Sequence, residues 1–154
     1  MAGLAVGLSH RFCYRVPLAK TVPALYPESP QFDTMPPVFA TGYLVGLLEW
    51  GCMRAIEPFL DAPREMSLGT HIDVSHCAAT PAGLDVTVDV RLVGIDGRRL
   101  RFEVEAHDGV DLISRGRHER CVVERAGFIV RVERKAASLN LPLPPSGRHD
   151  PAGA

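Results

Sequence analysis

A chain of 154 residues with 46% hydrophobic and 23% charged residues has the length and composition of one globular domain. That is enough apolar material for a core without disulfide or metal staples, and no stretch reaches the ~18 apolar residues that span a bilayer. A net charge of −1, with the basic residues scattered, leaves no electrostatic footprint for nucleic acid or an anionic membrane.

The chain opens on Met1–Leu8, apolar but short and without the basic region of a signal peptide, so a cytoplasmic location is expected. Residues 10–16 read as a first strand. Pro17, Pro23, Pro27, Pro30, Pro36 and Pro37 then rule out a helix or central strand over 17–37. A long proline-studded loop inside a compact domain suggests a lid or pocket wall. From Val38 to Glu57 the chain is free of prolines, which predicts a helix of ~30 Å. It is apolar nearly all round and so is expected to be buried. Gly42 and Gly46 lie one turn apart and form a flat stripe for another backbone to approach.

Strands follow. Ile72, Val74, His76 and Ala78 alternate with Asp73, Ser75 and Cys77; Val86 to Leu92 and Leu100 to Ala106 alternate in the same way with polar residues. Asp96-Gly97 and Asp108-Gly109 are hairpin turns that link strands near 84–95, 98–107 and 110–124 into a meander. Residues 1–135 are read as one domain. The tail 136–154, with four prolines, is predicted to be disordered. Cys13, Cys52, Cys77 and Cys121 have neither C-x-x-C nor zinc-like spacing, and buried free thiols in a reducing compartment are expected. The element order predicts an α+β hot-dog fold: one long buried helix wrapped by a curved antiparallel sheet. One sheet covers only part of such a helix, so a homodimer with a continuous sheet is expected.

Three polar residues fall in apolar positions. Glu49 lies mid-helix between Leu47, Leu48 and Trp50, where a carboxylate is either paired, for instance across a dimer interface, or functional. His76 shares the inner face of its strand with Ile72 and Val74, as a satisfied core histidine or as an acid–base partner of Glu49. Thr41, in the first helical turn, either caps the helix or sits where amides and helix dipole would stabilise an oxyanion. Arg120 shares strand parity with Gly116 and His118, as a phosphate ligand or an ordinary edge charge. His71, Asp73 and His76 alternate across strand faces and cannot converge on a metal. G-x-S-x-G, P-loop and dinucleotide motifs do not occur.

Leu25-Tyr-Pro-Glu-Ser-Pro30, Val38-Phe-Ala-Thr-Gly42, Leu48-Glu-Trp50, Ser67-Leu-Gly-Thr70, His76-Cys-Ala-Ala-Thr-Pro81, Gly97-Arg-Arg-Leu100, Ala106-His-Asp-Gly-Val-Asp111 and His118-Glu-Arg120 together resemble the fluoroacetyl-CoA thioesterase family, in order, over about residues 8–135. The resemblance implies a homodimeric hot-dog enzyme that hydrolyses a short acyl-CoA with neither metal nor cofactor. It implies catalytic roles for Thr41, Glu49 and His76 and substrate contacts for Gly69 and Arg120. It also implies an acyl-pocket lid of Val22, Leu25 and Phe32. A second aromatic lid residue of the family falls on Met35, a departure that bears on selectivity for the fluorinated acyl group. Alternatives are a non-catalytic acyl-CoA-binding protein and a hot-dog enoyl-CoA hydratase.

Overall fold

The computed structural model describes residues 1–142. Five strands, β1 (Ser9–Arg15), β2 (Glu65–Val74), β3 (Asp85–Asp96), β4 (Arg99–His107) and β5 (Leu112–Glu124), form one antiparallel sheet in the order β1-β3-β4-β5-β2. Helix α1 (Pro30–Asp33) is a single turn, α2 (Thr41–Ile56) lies across the inner face of the sheet, and α3 (Arg125–Ala137) follows β5. This is the α+β architecture expected of the chain, a curved sheet around one long helix.

Period-two patterning produces the sheet. Val86, Val88, Val90 and Leu92 of β3 and Leu100, Phe102, Val104 and Ala106 of β4 are buried against α2, while Arg99, Arg101 and Glu103 face water. Both hairpin turns form at the expected dipeptides, where Gly97 (φ 55°) and Gly109 (φ 90°) adopt the left-handed conformation. The second turn is held from inside. The buried Asp108 carboxylate accepts hydrogen bonds from the Val110 and Asp111 amides at 3.0 and 2.8 Å, and from the Thr80 hydroxyl at 2.9 Å.

Helix α2 is shorter than the sequence suggests. Its first predicted turn is instead extended chain, because Phe39 and Val38 bridge to Thr21 and Pro81. It is also not buried all round. Leu44, Leu47, Leu48, Cys52, Ala55 and Ile56 pack on the sheet, whereas Gly42, Gly46, Trp50 and Met53 form an open stripe. A helix laid on a single sheet can bury only the side that faces it. The glycine that brings α2 close to the strands is Gly51, where an added Cβ would stand 3.0–3.1 Å from Val90, Phe12 and Val88. Gly46 faces open space, and Gly42 lies under Leu25.

The strand read through Ala78 ends at Val74, although Ser75 and Cys77 still donate backbone hydrogen bonds to Arg115 and Ile113 of β5. Only Cys52 is a buried thiol; Cys13 and Cys77 are exposed and Cys121 is half-buried, since each alternates onto a solvent-facing or edge position. Cys52, shut in the core, has its pKa pushed up to about 12 by burial.

The proline-rich segment is not plain loop. It contains 3₁₀ turns at Leu18–Lys20 and Val22–Ala24 besides α1, with Pro23 and Pro30 in first-turn positions where the missing amide costs nothing. Its two ends are tied together: Val22 donates to the Val38 carbonyl at 2.9 Å and Ala40 to the Lys20 carbonyl at 3.1 Å. Helix α3 runs past residue 135, the expected end of the domain, to Ala137. Residues 143–154 of the expected tail lie outside the described residues. Among those described, no helix is long and apolar enough to cross a membrane.

Candidate functional site

The polar side chains of the inner surface fall into two groups along α2. The first lies at the helix N-terminus. Thr41 does not cap the helix: the N-cap position is Ala40, which offers no side-chain acceptor, and the Thr41 hydroxyl instead meets His76 Nδ1 at 2.8 Å. His76 is delivered by the extended chain after β2. One buried residue organises both partners, because the Thr80 carbonyl accepts from the Phe39 amide at 2.7 Å just before α2, while its hydroxyl is anchored on Asp108. His76 Nε2 is buried and has no hydrogen-bond partner among the described residues. His76 is thus not a satisfied core histidine; one ring nitrogen is spent on Thr41 and the other is open. Burial lowers its pKa below the usual 6.5, against an opposing backbone interaction with Ala78.

The second group surrounds Glu49, eight residues further along α2 and so ~12 Å from Thr41 along the axis. Its Oε1 lies 3.5 Å from Arg120 Nη1 and 3.5 Å from His118 Nε2. Gly69, at a bulge where β2 shifts register against β5, leaves the space the carboxylate occupies; a Cβ there would fall 2.1 Å from Glu49 Oε1. Arg120 is not an edge charge, since β5 lies inside the sheet and the side chain is only 3% exposed. Its Nε donates to the Ser67 hydroxyl at 3.0 Å, Nη2 to the Ser67 carbonyl at 2.9 Å, and Nη1 to His118 Nε2 at 3.0 Å. That distribution leaves the guanidinium committed to β2 and β5 rather than extended toward a phosphate. Burial lowers the Arg120 pKa, and Glu49 acts in the opposite direction.

Facing one another as expected, Glu49 and His76 would have formed a pair. Among the described residues no hydrogen bond or ion pair joins them, because eight residues of helix rotate Glu49 ~80° away from Thr41 as well as advancing it. Leu25 reaches the entrance, where its side chain packs on Gly42 beside Thr41, and Tyr43 donates to the Ala24 carbonyl at 3.3 Å. Val22 belongs to the tied neck of the loop, Phe32 packs against Tyr26 at 5.5 Å between ring centres, and Met35 is exposed. Sequence reasoning passed over His118 and Ser67 as site residues. His118 carried a signal in the sequence, the inward parity it shares with Arg120 and Val122; in the structure it is 1% exposed.

The profile of the fluoroacetyl-CoA-specific thioesterase family matches residues 27–126, which span both groups. The chain belongs to this family. The fluoroacetyl-CoA thioesterase of Streptantibioticus cattleyicolor is 53% identical over 133 residues, covering 86% of this chain and 95% of that protein. A solved structure of a fluoroacetyl-CoA thioesterase variant in complex with acetyl-CoA superposes with a TM-score of 0.84 at 52% identity, over 86% of this chain and 98% of that one. A Thermus thermophilus thioesterase superfamily member aligns with a TM-score of 0.80 at 26% identity, over 91% of this chain and 98% of that one.

Proposed function

We propose that this protein hydrolyses the thioester of a short acyl-CoA, of the fluoroacetyl-CoA kind, to the free acid and CoA, as a homodimer. The observation that carries the reading is the Thr41–His76 contact at 2.8 Å beside an open, buried Nε2. It sits within a family of thioesterases and two helical turns from a carboxylate. His76, kept neutral by burial, is the general base. Its open nitrogen takes the proton from water, or from the acidic α-carbon of a fluorinated acyl group. Thr41 holds the thioester oxygen or the attacking water at the helix N-terminus, where unpaired amides stabilise the developing negative charge. Glu49, 3.5 Å from Arg120 Nη1, serves as the carboxylate that orients His76 or attacks the carbonyl. Gly69 and Arg120 shape that end of the site.

Two features support the dimer. The stripe Gly42, Gly46, Trp50 and Met53 is uncovered, and β2 is an edge strand whose Met66 lies beside Trp50 and Met53. A twofold partner pairing along β2 would extend the sheet and cover the stripe. It would also allow Glu49 of one chain to approach the Thr41–His76 pair of the other, which the spacing within one chain does not.

The test is thiol release from a panel of short acyl-CoAs that includes acetyl-CoA and fluoroacetyl-CoA. Release of one CoA thiol per acid formed is the expected result. Tight binding without release would overturn the enzyme reading, and addition of water with the thioester intact would point to a hydratase.

A further inference from the structure

His118 is the most enclosed titratable side chain of the site, and the catalytic steps above do not use it. Its Nδ1 lies 2.8 Å from the His71 carbonyl, which only accepts, so Nδ1 carries the proton and Nε2 presents a lone pair. That lone pair takes the Arg120 Nη1 hydrogen at 3.0 Å, while the same Nη1 stands 3.5 Å from Glu49 Oε1. An unconstrained guanidinium–carboxylate contact closes to about 2.7–2.9 Å. Arg120 is therefore nearer to a neutral imidazole than to the adjacent carboxylate, an unusual order for a buried cation.

We propose that His118 is a positioning residue: its Nε2 holds the Arg120 guanidinium back from Glu49, keeping the carboxylate free of a close ion pair. The proposal deepens the thioesterase reading and rests on it for its kinetic consequence. The groups around the imidazole fit this role. Glu49 acts on it from α2, Arg120 and the charge of Glu119 from β5, and the His71 carbonyl from β2. Burial, the largest influence, keeps His118 neutral, and the nearby Arg120 charge acts in the same direction. An imidazolium would have no lone pair and would repel Arg120.

In the wild-type protein, a long-range proton–nitrogen correlation spectrum should show His118 protonated at Nδ1 and bare at Nε2; a proton on Nε2 would overturn the proposal without any variant. His118→Leu and His118→Met remove the acceptor, and His118→Gln keeps one in the same place. In whichever apolar variant melts as a folded protein, the Glu49 carboxylate carbon resonance, assigned with Glu49→Gln, should move from its wild-type position at neutral pH. The turnover number kcat should fall on the order of 10- to 100-fold, as for small misplacements of reacting groups, with KM little changed. His118→Gln should restore both the resonance and most of kcat. An unmoved resonance in the apolar variant, or a glutamine variant no better than leucine, would show that His118 only fills space. If the wild-type protein releases no thiol from any acyl-CoA, the thioesterase reading fails, while the two spectra still decide whether His118 holds Arg120 off Glu49.

Discussion

A threonine hydroxyl against a half-buried histidine ring, and a glutamate beside an enclosed arginine, are arrangements that collect at functional sites. His76→Ala and Glu49→Gln should each lower kcat by at least ~10²-fold while the fold persists, measured by thiol release and thermal melting. Near wild-type turnover in either variant would make that residue structural. Because burial lowers the His76 pKa below 6.5, its basic form survives into mildly acid solution. The acid limb of kcat/KM should therefore have its midpoint below pH 6.5; a midpoint above it would contradict His76 as the base. The same depression, shared by His118, means that the unfolded chain takes up protons first, so folded stability is lost as pH falls below 6.5. At Met35, where the resemblance implies an aromatic lid residue, the flexible thioether is exposed, and under the proposed function it should seal a very small acyl group less tightly. Met35→Phe should raise the fluoroacetyl-CoA to acetyl-CoA ratio of kcat/KM, within the ~1–3 kcal/mol that apolar pocket changes supply. An unchanged ratio would remove Met35 from specificity. Thr41, Glu49 and His76 were legible because each is polar where its element is apolar. Their grouping was not, since the partner of Glu49 depends on helix phase and on a bulge that no local pattern announces.

At the scale of elements, two glycines opposite β-strand neighbours have different tasks. A Cβ at Gly116 would meet the Asp73 carbonyl at 2.1 Å, and backbone paired on both sides cannot give way. A Cβ at Gly69 meets the end of the Glu49 side chain, which can swing aside. Gly116→Ala should then cost about 1–3 kcal/mol of stability by chemical denaturation. Gly69→Ala should melt close to wild type yet lose most of its turnover; equal loss of stability in both would refute the distinction. The meander was legible almost to the residue, because alternation and two Asp-Gly turns act locally. The start of α2 was not, because long-range bridges from Val38 and Phe39 decide it, and neither was the register shift inside β2 at Gly69. The cysteines were misjudged for a related reason: an apolar neighbourhood in sequence does not say which face of a strand a side chain takes.

For the whole molecule, the uncovered stripe on α2 and the free edge of β2 lead to one expectation, that light scattering at micromolar concentration reports a dimer; a monomer would leave the homodimer reading without support. The neck of the proline-rich segment has a different consequence. Residues 23–37 leave and re-enter the fold between backbone bonds joining Val22 to Val38 and Lys20 to Ala40, whereas the Thr41–His76 contact is secured separately through Thr80 and Asp108. Closing a loop across a fixed neck costs little more when the loop lengthens, roughly 0.6 kcal/mol per doubling. Under the proposed function, in which this segment covers the acyl group, residues 23–37 are thus an exchangeable cassette. It can be lengthened, shortened or swapped between relatives, to accept a different acid, while the hydrolytic machinery beneath it stays as it is.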